Sequence, residues 1–249
     1  MLYTPAVGWR PGTLNPEPKT PELPDLILLS RSPIRAVIFD FDGLIIDSET
    51  PLFDIWSAIY AEHGHQLTID EWQHALGTQG GFDPYADLST RVARAVDRER
   101  LAALVREEHW ARCGEEPLLP GVQARLAEAS ALGLGAAVAS SSPSAWVDPW
   151  LERHDLRRWV AVVCTRDDVR QVKPAPDLFL LAAERLSVPP DSCLVFEDSP
   201  NGLRAARAAG MRAVVVPNRL TRQLTPPAPC LVMSSLSDRP LAEIMHLEW

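Results

Sequence analysis

The chain contains almost no lysine. Of 24 basic side chains only Lys19 and Lys173 carry an ammonium, and the rest are arginine. It also lacks any apolar run near the roughly 20 residues that a membrane helix requires. Nor does it open on a basic patch followed by an apolar segment and a cleavage site. No membrane association is therefore expected, and the cytoplasm is the expected compartment. The arginines gather into no stripe and the net charge is -9, which argues against a nucleic-acid partner. Cys113, Cys164, Cys193 and Cys230 are far apart and form no CxxC, so neither a zinc site nor a disulfide framework is expected.

With 249 residues, 46% of them hydrophobic, the chain can bury a large core, as one domain or two. Residues 1–32 hold Pro5, Pro11, Pro16, Pro18, Pro21 and Pro24 without a sustained period, and read as an extended arm. Beyond Arg35, short apolar runs alternate with amphipathic stretches. Strands are expected at Ala36 to Phe41, Leu134 to Ser140, Trp159 to Thr165, Cys193 to Glu197 and Arg212 to Val216, with a weaker one at Cys230 to Met233. Helical spacing marks Gly121 to Leu132, Ser144 to His154, Asp177 to Leu186 and Gly202 to Ala209, and Gly133 and Gly210 stand where C-terminal caps belong. That alternation predicts an α/β fold built on a Rossmann-like, doubly wound parallel sheet.

The rhythm breaks over residues 50–117, which show no strand pattern and predict helices at Pro51 to His63, Ile69 to Leu76 and Arg91 to Trp110, with a loop at Gly77 to Gly81. The expected organisation is an arm at 1–32, a Rossmann-like core formed by 33–49 and 118–249, and a helical insert at 50–117. Placed after the first strand, the insert would sit over the carboxyl ends of the sheet as a lid, or else to one side as a lateral domain.

The first strand ends abruptly in Asp40, Phe41, Asp42 and Gly43. Carboxylates at the mouth of an apolar sheet are costly to desolvate unless a cation or hydrogen-bond donors compensate them. Other strand ends add Ser140, Ser141 and Ser142, then Lys173-Pro174, then Glu197-Asp198-Ser199. In a parallel sheet these ends share one edge, so a hydroxyl, an ammonium and four carboxylates are expected in a single cleft. Each has a simpler reading: an acidic turn, a serine-rich helix cap, a solvated lysine, or Asp198 capping the helix that follows.

In order, FDFDGLIIDSE at 39–49, ASSS at 139–142, VKPAPDLFLLAAERL at 172–186 and FEDSPNGLRAARAAGM at 196–211 resemble the four motifs of the haloacid dehalogenase-like hydrolase superfamily. The resemblance runs from about Arg35 to Val216, with the insert in the position of the superfamily's C1 cap. It is nearest to the group that includes beta-phosphoglucomutase, phosphoglycolate phosphatase and sugar-phosphate phosphatases. The resemblance implies that Asp40 is a nucleophile that becomes an aspartyl-phosphate and that Asp42 is the general acid and base. It implies that Ser140 and the Ser141 backbone hold phosphoryl oxygens and that Lys173 neutralises charge. Mg2+ would be held by Asp40, the Asp42 carbonyl, Asp198 and, directly or through water, Glu197. The implied activity is hydrolysis of a small phosphorylated metabolite.

Two absences separate reactions within the superfamily. No lysine lies in the insert, which disfavours the Schiff-base chemistry of phosphonoacetaldehyde hydrolases. Beta-phosphoglucomutases carry an insert lysine and a histidine where this chain has Leu52, so phosphoryl transfer between sugar positions is the alternative rather than the expectation. An acid at Asp42 disfavours dehalogenation, and binding of a phosphometabolite without turnover remains the non-enzymatic alternative. Arg91 and Arg94 are candidate anion contacts.

Overall fold

The computed structural model describes residues 32–76 and 81–247. The proline-rich arm over 1–31 and the loop residues 77–80 lie outside the described residues. The elements run β1 (Ala36–Phe39), α1 (Glu49–Glu62), α2 (Ile69–Trp72), α3 (Pro84–Arg91), α4 (Arg98–Cys113), α5 (Val122–Ala131), β2 (Gly135–Ala139), α6 (Ser144–Arg153), β3 (Val162–Cys164), α7 (Asp177–Leu186), β4 (Cys193–Glu197), α8 (Pro200–Ala208), β5 (Arg212–Val215), β6 (Leu231–Val232) and α9 (Leu241–Met245).

The strands form one sheet in the order β3-β2-β1-β4-β5-β6, with every neighbouring pair parallel. Because side chains alternate across a strand, β1 feeds both faces. Val37 and Phe39 pack on one side with Val122, Leu126 and Val147 of α5 and α6. Ala36 and Ile38 pack on the other with Leu178 and Leu203 of α7 and α8. Both faces are thus covered, which is why these strands are near-continuously apolar. The chain leaves β1 toward β2 and β3, then returns to build β4, β5 and β6 on the other side. That reversal opens a crevice at the carboxyl ends of β1 and β4.

Helices α1 to α4 follow β1 directly and enclose a third apolar cluster, with Ile55, Trp56, Tyr60, Trp72, Leu88 and Val105 among its members. Among the described residues no strand interrupts them. The long helix expected at Arg91 to Trp110 begins only at Arg98, and Arg91 instead closes α3, a helix that was not expected. The break between them falls where Ala93 takes a left-handed φ of 53°, and Asp97 starts α4 by accepting the N–H of Arg100 at 3.0 Å. Asp83 likewise caps α3 ahead of Pro84. Both breaks follow the N-cap chemistry of aspartate. The strand expected from Trp159 pairs only from Val162, because the chain first turns at Leu156, whose carbonyl accepts the N–H of Trp159 at 3.0 Å. Gly133 and Gly210 end their helices at positive φ, as their positions require.

Candidate active site

Four strand ends bring the polar residues together. The N–H of Asp40 donates to the Phe196 carbonyl at 2.9 Å, and that of Ser140 donates to the Cys164 carbonyl at 2.9 Å, so both residues prolong the ladder by one step. Glu197 ends β4, and its carbonyl accepts the N–H of Val216 at 2.6 Å. Asp40, Lys173, Glu197 and Asp198 are all at most 5% exposed. The Lys173 ammonium donates to Asp40 and, at 2.5 Å, to Glu197, and it lies 4.9 Å from the Phe179 ring centroid. The other Glu197 oxygen accepts the N–H and hydroxyl of Ser199 at 2.9 and 3.0 Å. A Cβ at Gly202 would fall 1.8 Å from this carboxylate, so α8 can approach it only without a side chain there. Ser199, rather than Asp198, caps α8, accepting the Gly202 N–H at 3.1 Å. Asp198 is thereby free of the capping duty considered for it.

Carboxylate oxygens of Asp40, Glu197 and Asp198 lie within 4.8 Å of one another. Three acids against one ammonium leave two negative charges uncompensated in a buried site, a deficit matching one divalent cation. Titration reflects the same imbalance. Burial, then Glu197, raises Asp40 to about 8 against the opposing pull of Lys173. Burial, then Glu197 and Asp40, raises Asp198 well above the usual carboxylate range. Burial pulls the Lys173 ammonium down, but Asp40 and Glu197 more than offset it and hold it protonated. An all-oxygen donor set with surplus negative charge suits a hard cation of the Mg2+ type.

The Asp42 side chain stands apart from that cluster. One oxygen accepts from Ser48 Oγ at 2.7 Å and Trp146 Nε1 at 2.8 Å, the other from Ser142 Oγ at 2.6 Å and Ser140 Oγ at 3.2 Å. Both Asp42 carboxylate oxygens are thus engaged by donors of this chain, and its side chain is not among the three carboxylates that lie together. Ser140 Oγ in turn accepts the Ser142 N–H at 2.9 Å, and Ser141 lies between them. A cavity of about 500 Å³ opens beside Asp42, with Glu49, Leu52, Arg106, His109, Trp146 and Arg166 among its walls. Burial, then Asp42 and Asp40, raises the Glu49 carboxyl.

Several of these residues escape a reading of the sequence. Asn218 donates to Asp198 at 2.8 Å and to the Gly43 carbonyl at 3.2 Å, while its own oxygen accepts the N–H groups of Leu220 and Thr221. Its signal was its place at the end of β5, a fifth strand end on the same edge. Trp146 and His109 carried no such signal, because their meeting depends on packing between α4 and α6. Arg91 is not at the cavity. It is engaged by Glu71 at 2.6 Å and Asp87 at 2.7 Å and lies over Tyr60.

Comparison with known proteins gives the site its relatives. A family model described as haloacid dehalogenase-like hydrolase matches residues 34–210. A Bacillus subtilis protein provisionally named as a phosphatase, YhcW, is 44% identical over 191 residues, 77% of this chain and 87% of its own length. Fructose-1-phosphate phosphatase YqaB of Escherichia coli is 32% identical over 200 residues, 72% of this chain and 95% of its own. The crystal structure of CbbY from Rhodobacter sphaeroides in complex with phosphate superposes with a TM-score of 0.67 at 29% identity, covering 84% of this chain and 98% of that one. Since the match begins before β1 and runs past α8, it takes in every strand end that supplies the buried cluster, and the chain belongs to the haloacid dehalogenase-like hydrolase family, as a phosphatase within it.

Proposed function

We propose that the chain is a Mg2+-dependent phosphatase that hydrolyses a small phosphorylated metabolite of the sugar-phosphate or phosphoglycolate type through an aspartyl-phosphate on Asp40. The observation that carries this reading is the buried group of Asp40, Lys173, Glu197 and Asp198, with charge left over for a divalent cation. The substrate in the name of YqaB, fructose 1-phosphate, supports the sugar-phosphate class. The cytoplasm suits such a substrate, and the four cysteines are all free thiols.

In this reading Asp40 attacks phosphorus while Lys173 offsets the repulsion between its carboxylate and the phosphate dianion. Ser140 and the Ser141 backbone hold phosphoryl oxygens. Asp42 gives a proton to the departing oxygen, and in the second half it takes one from the water that cleaves the phosphoenzyme. Asp40, Asp198, the Asp42 carbonyl and, directly or through water, Glu197 would hold Mg2+, which would supply neutralisation of phosphoryl charge. Helices α1 to α4 act as the cap, setting the cavity walls and excluding water.

A phosphate-release panel of sugar phosphates, phosphoglycolate and nucleotide monophosphates, with and without Mg2+, tests this. Turnover of at least one member that requires Mg2+ and disappears in Asp40→Asn is the expected result. A folded, metal-supplied protein that turns over none of them, or an Asp40→Asn variant as active as the parent, defeats the reading.

A further inference from the structure

We propose that Trp146 is a positioning residue for Asp42, acting through its indole N–H, and that His109 holds the indole in place. The inference rests on the reading of Asp42 as general acid and base. Among the described residues the Asp42 carboxylate accepts from the hydroxyls of Ser48, Ser140 and Ser142, which rotate and can turn from donor to acceptor, and from the Trp146 indole. The indole Nε1 can only donate, and its direction is set by the plane of its ring. Trp146 therefore contributes a bond whose sense and direction, unlike those of the three hydroxyls, cannot change without moving a ring.

The ring plane is itself fixed. His109 stacks on it at 4.6 Å and 13°, Trp110 meets it edge-on at 4.9 Å and Trp150 at 5.5 Å. His109 Nε2 bonds the Ser48 carbonyl at 2.7 Å, and because a carbonyl only accepts, Nε2 carries the hydrogen. Ser48 Oγ then donates to the same Asp42 oxygen that Trp146 reaches. The result is a closed circuit from Asp42 through Trp146, His109 and Ser48 that ties the loop after β1 to α4 and α6. Packing alone does not account for the N–H. In the same aromatic cluster Trp150 is buried, and its indole nitrogen has no partner among the described residues. Trp146 instead aims its nitrogen at the edge of the cavity, at the group that must present a proton to the leaving oxygen.

Leaving-group dependence separates this role from a structural one. A p-nitrophenolate departs readily without a proton, whereas a sugar alkoxide needs one, and kcat/KM covers the steps through phosphoryl transfer. Trp146→Phe keeps an aromatic ring and removes the donor. Its expected effect is a fall in kcat/KM for the best sugar phosphate of the panel about tenfold greater than the fall for p-nitrophenyl phosphate. Trp146→His, which restores an N–H donor, should recover part of that difference. Should Trp146→Phe fail to fold, the same ratio is read from His109→Leu, which removes the stacking partner and leaves the indole. Equal losses on both substrates in the folded variant overturn the inference. Asp42→Asn is the control: if it too shows no skew, the reading of Asp42 itself falls, whereas a skew in Asp42→Asn alone defeats only the role of Trp146.

Discussion

Asn218 donates its side-chain amide to the Asp198 carboxylate at 2.8 Å, while its oxygen is fixed by the N–H groups of Leu220 and Thr221. The amide is thus oriented before any ligand arrives, and it holds one oxygen of Asp198 in place. A glycine is required beside it, because a Cβ at Gly43, whose φ is 78°, would lie 2.3 Å from the Asn218 amide and 2.6 Å from the Asp198 carboxylate.

Loss of this amide should weaken metal use rather than abolish folding. Groups that orient a ligand are worth about 10- to 100-fold in metal affinity. Asn218→Ala should accordingly raise the Mg2+ concentration for half-maximal activity by about tenfold, with kcat at saturating Mg2+ reduced less. A magnesium titration of phosphate release measures it, and an unchanged midpoint would rule out an orienting role.

Arginine should not replace Lys173, although the chain uses arginine nearly everywhere else. The side chain is 1% exposed and its ammonium sits between Asp40 and Glu197. A guanidinium is larger and planar and cannot occupy that point. Removing one member of a buried ionic group costs about 3–5 kcal/mol. Lys173→Arg and Lys173→Met are both expected to lose at least about 100-fold in kcat, and Lys173→Met also to unfold at lower denaturant. Retention of activity by Lys173→Arg would show that the site is looser than its burial indicates.

Stability in the absence of metal should fall as pH rises. Asp40 ionises near 3.8 in an ordinary setting and at about 8 in the folded protein, chiefly through burial. Between those values the unfolded chain has released a proton that the folded chain keeps, so this contribution is present below the lower value and is lost toward the upper one. Mg2+ prefers the ionised carboxylates. Its addition should therefore raise Tm more at about pH 8 than at about pH 5. Thermal melts with EDTA or saturating Mg2+ at both pH values provide the check. A metal effect that is the same at both would contradict the titration assigned to Asp40.

Much of the framework was legible because its signals are local. The apolar run into Asp40 and the alternation through β2, β4 and β5 each follow from a few neighbouring residues, as does the solitary lysine before Pro174. Errors fell where a local signal was overridden or overlooked. The strand at Trp159 was shortened by the turn at Leu156, and the helix over 91–110 starts only after the cap at Asp97, an N-cap residue that an apolar period alone does not reveal.

The sequence by itself determined the fold class and the order of the residues that line the sheet edge, because strand periodicity and chain order suffice to place strand ends in a parallel sheet. Only the tertiary structure decided that Asp42 turns away from the acidic cluster to Trp146 and the serine hydroxyls, that Asn218 steadies Asp198, and that Arg91 is spent on ion pairs while Arg106 and Arg166 reach the cavity. Those outcomes depend on side-chain direction and on contacts between elements distant in sequence, such as the 104 positions between Asp42 and Trp146, which no local pattern encodes.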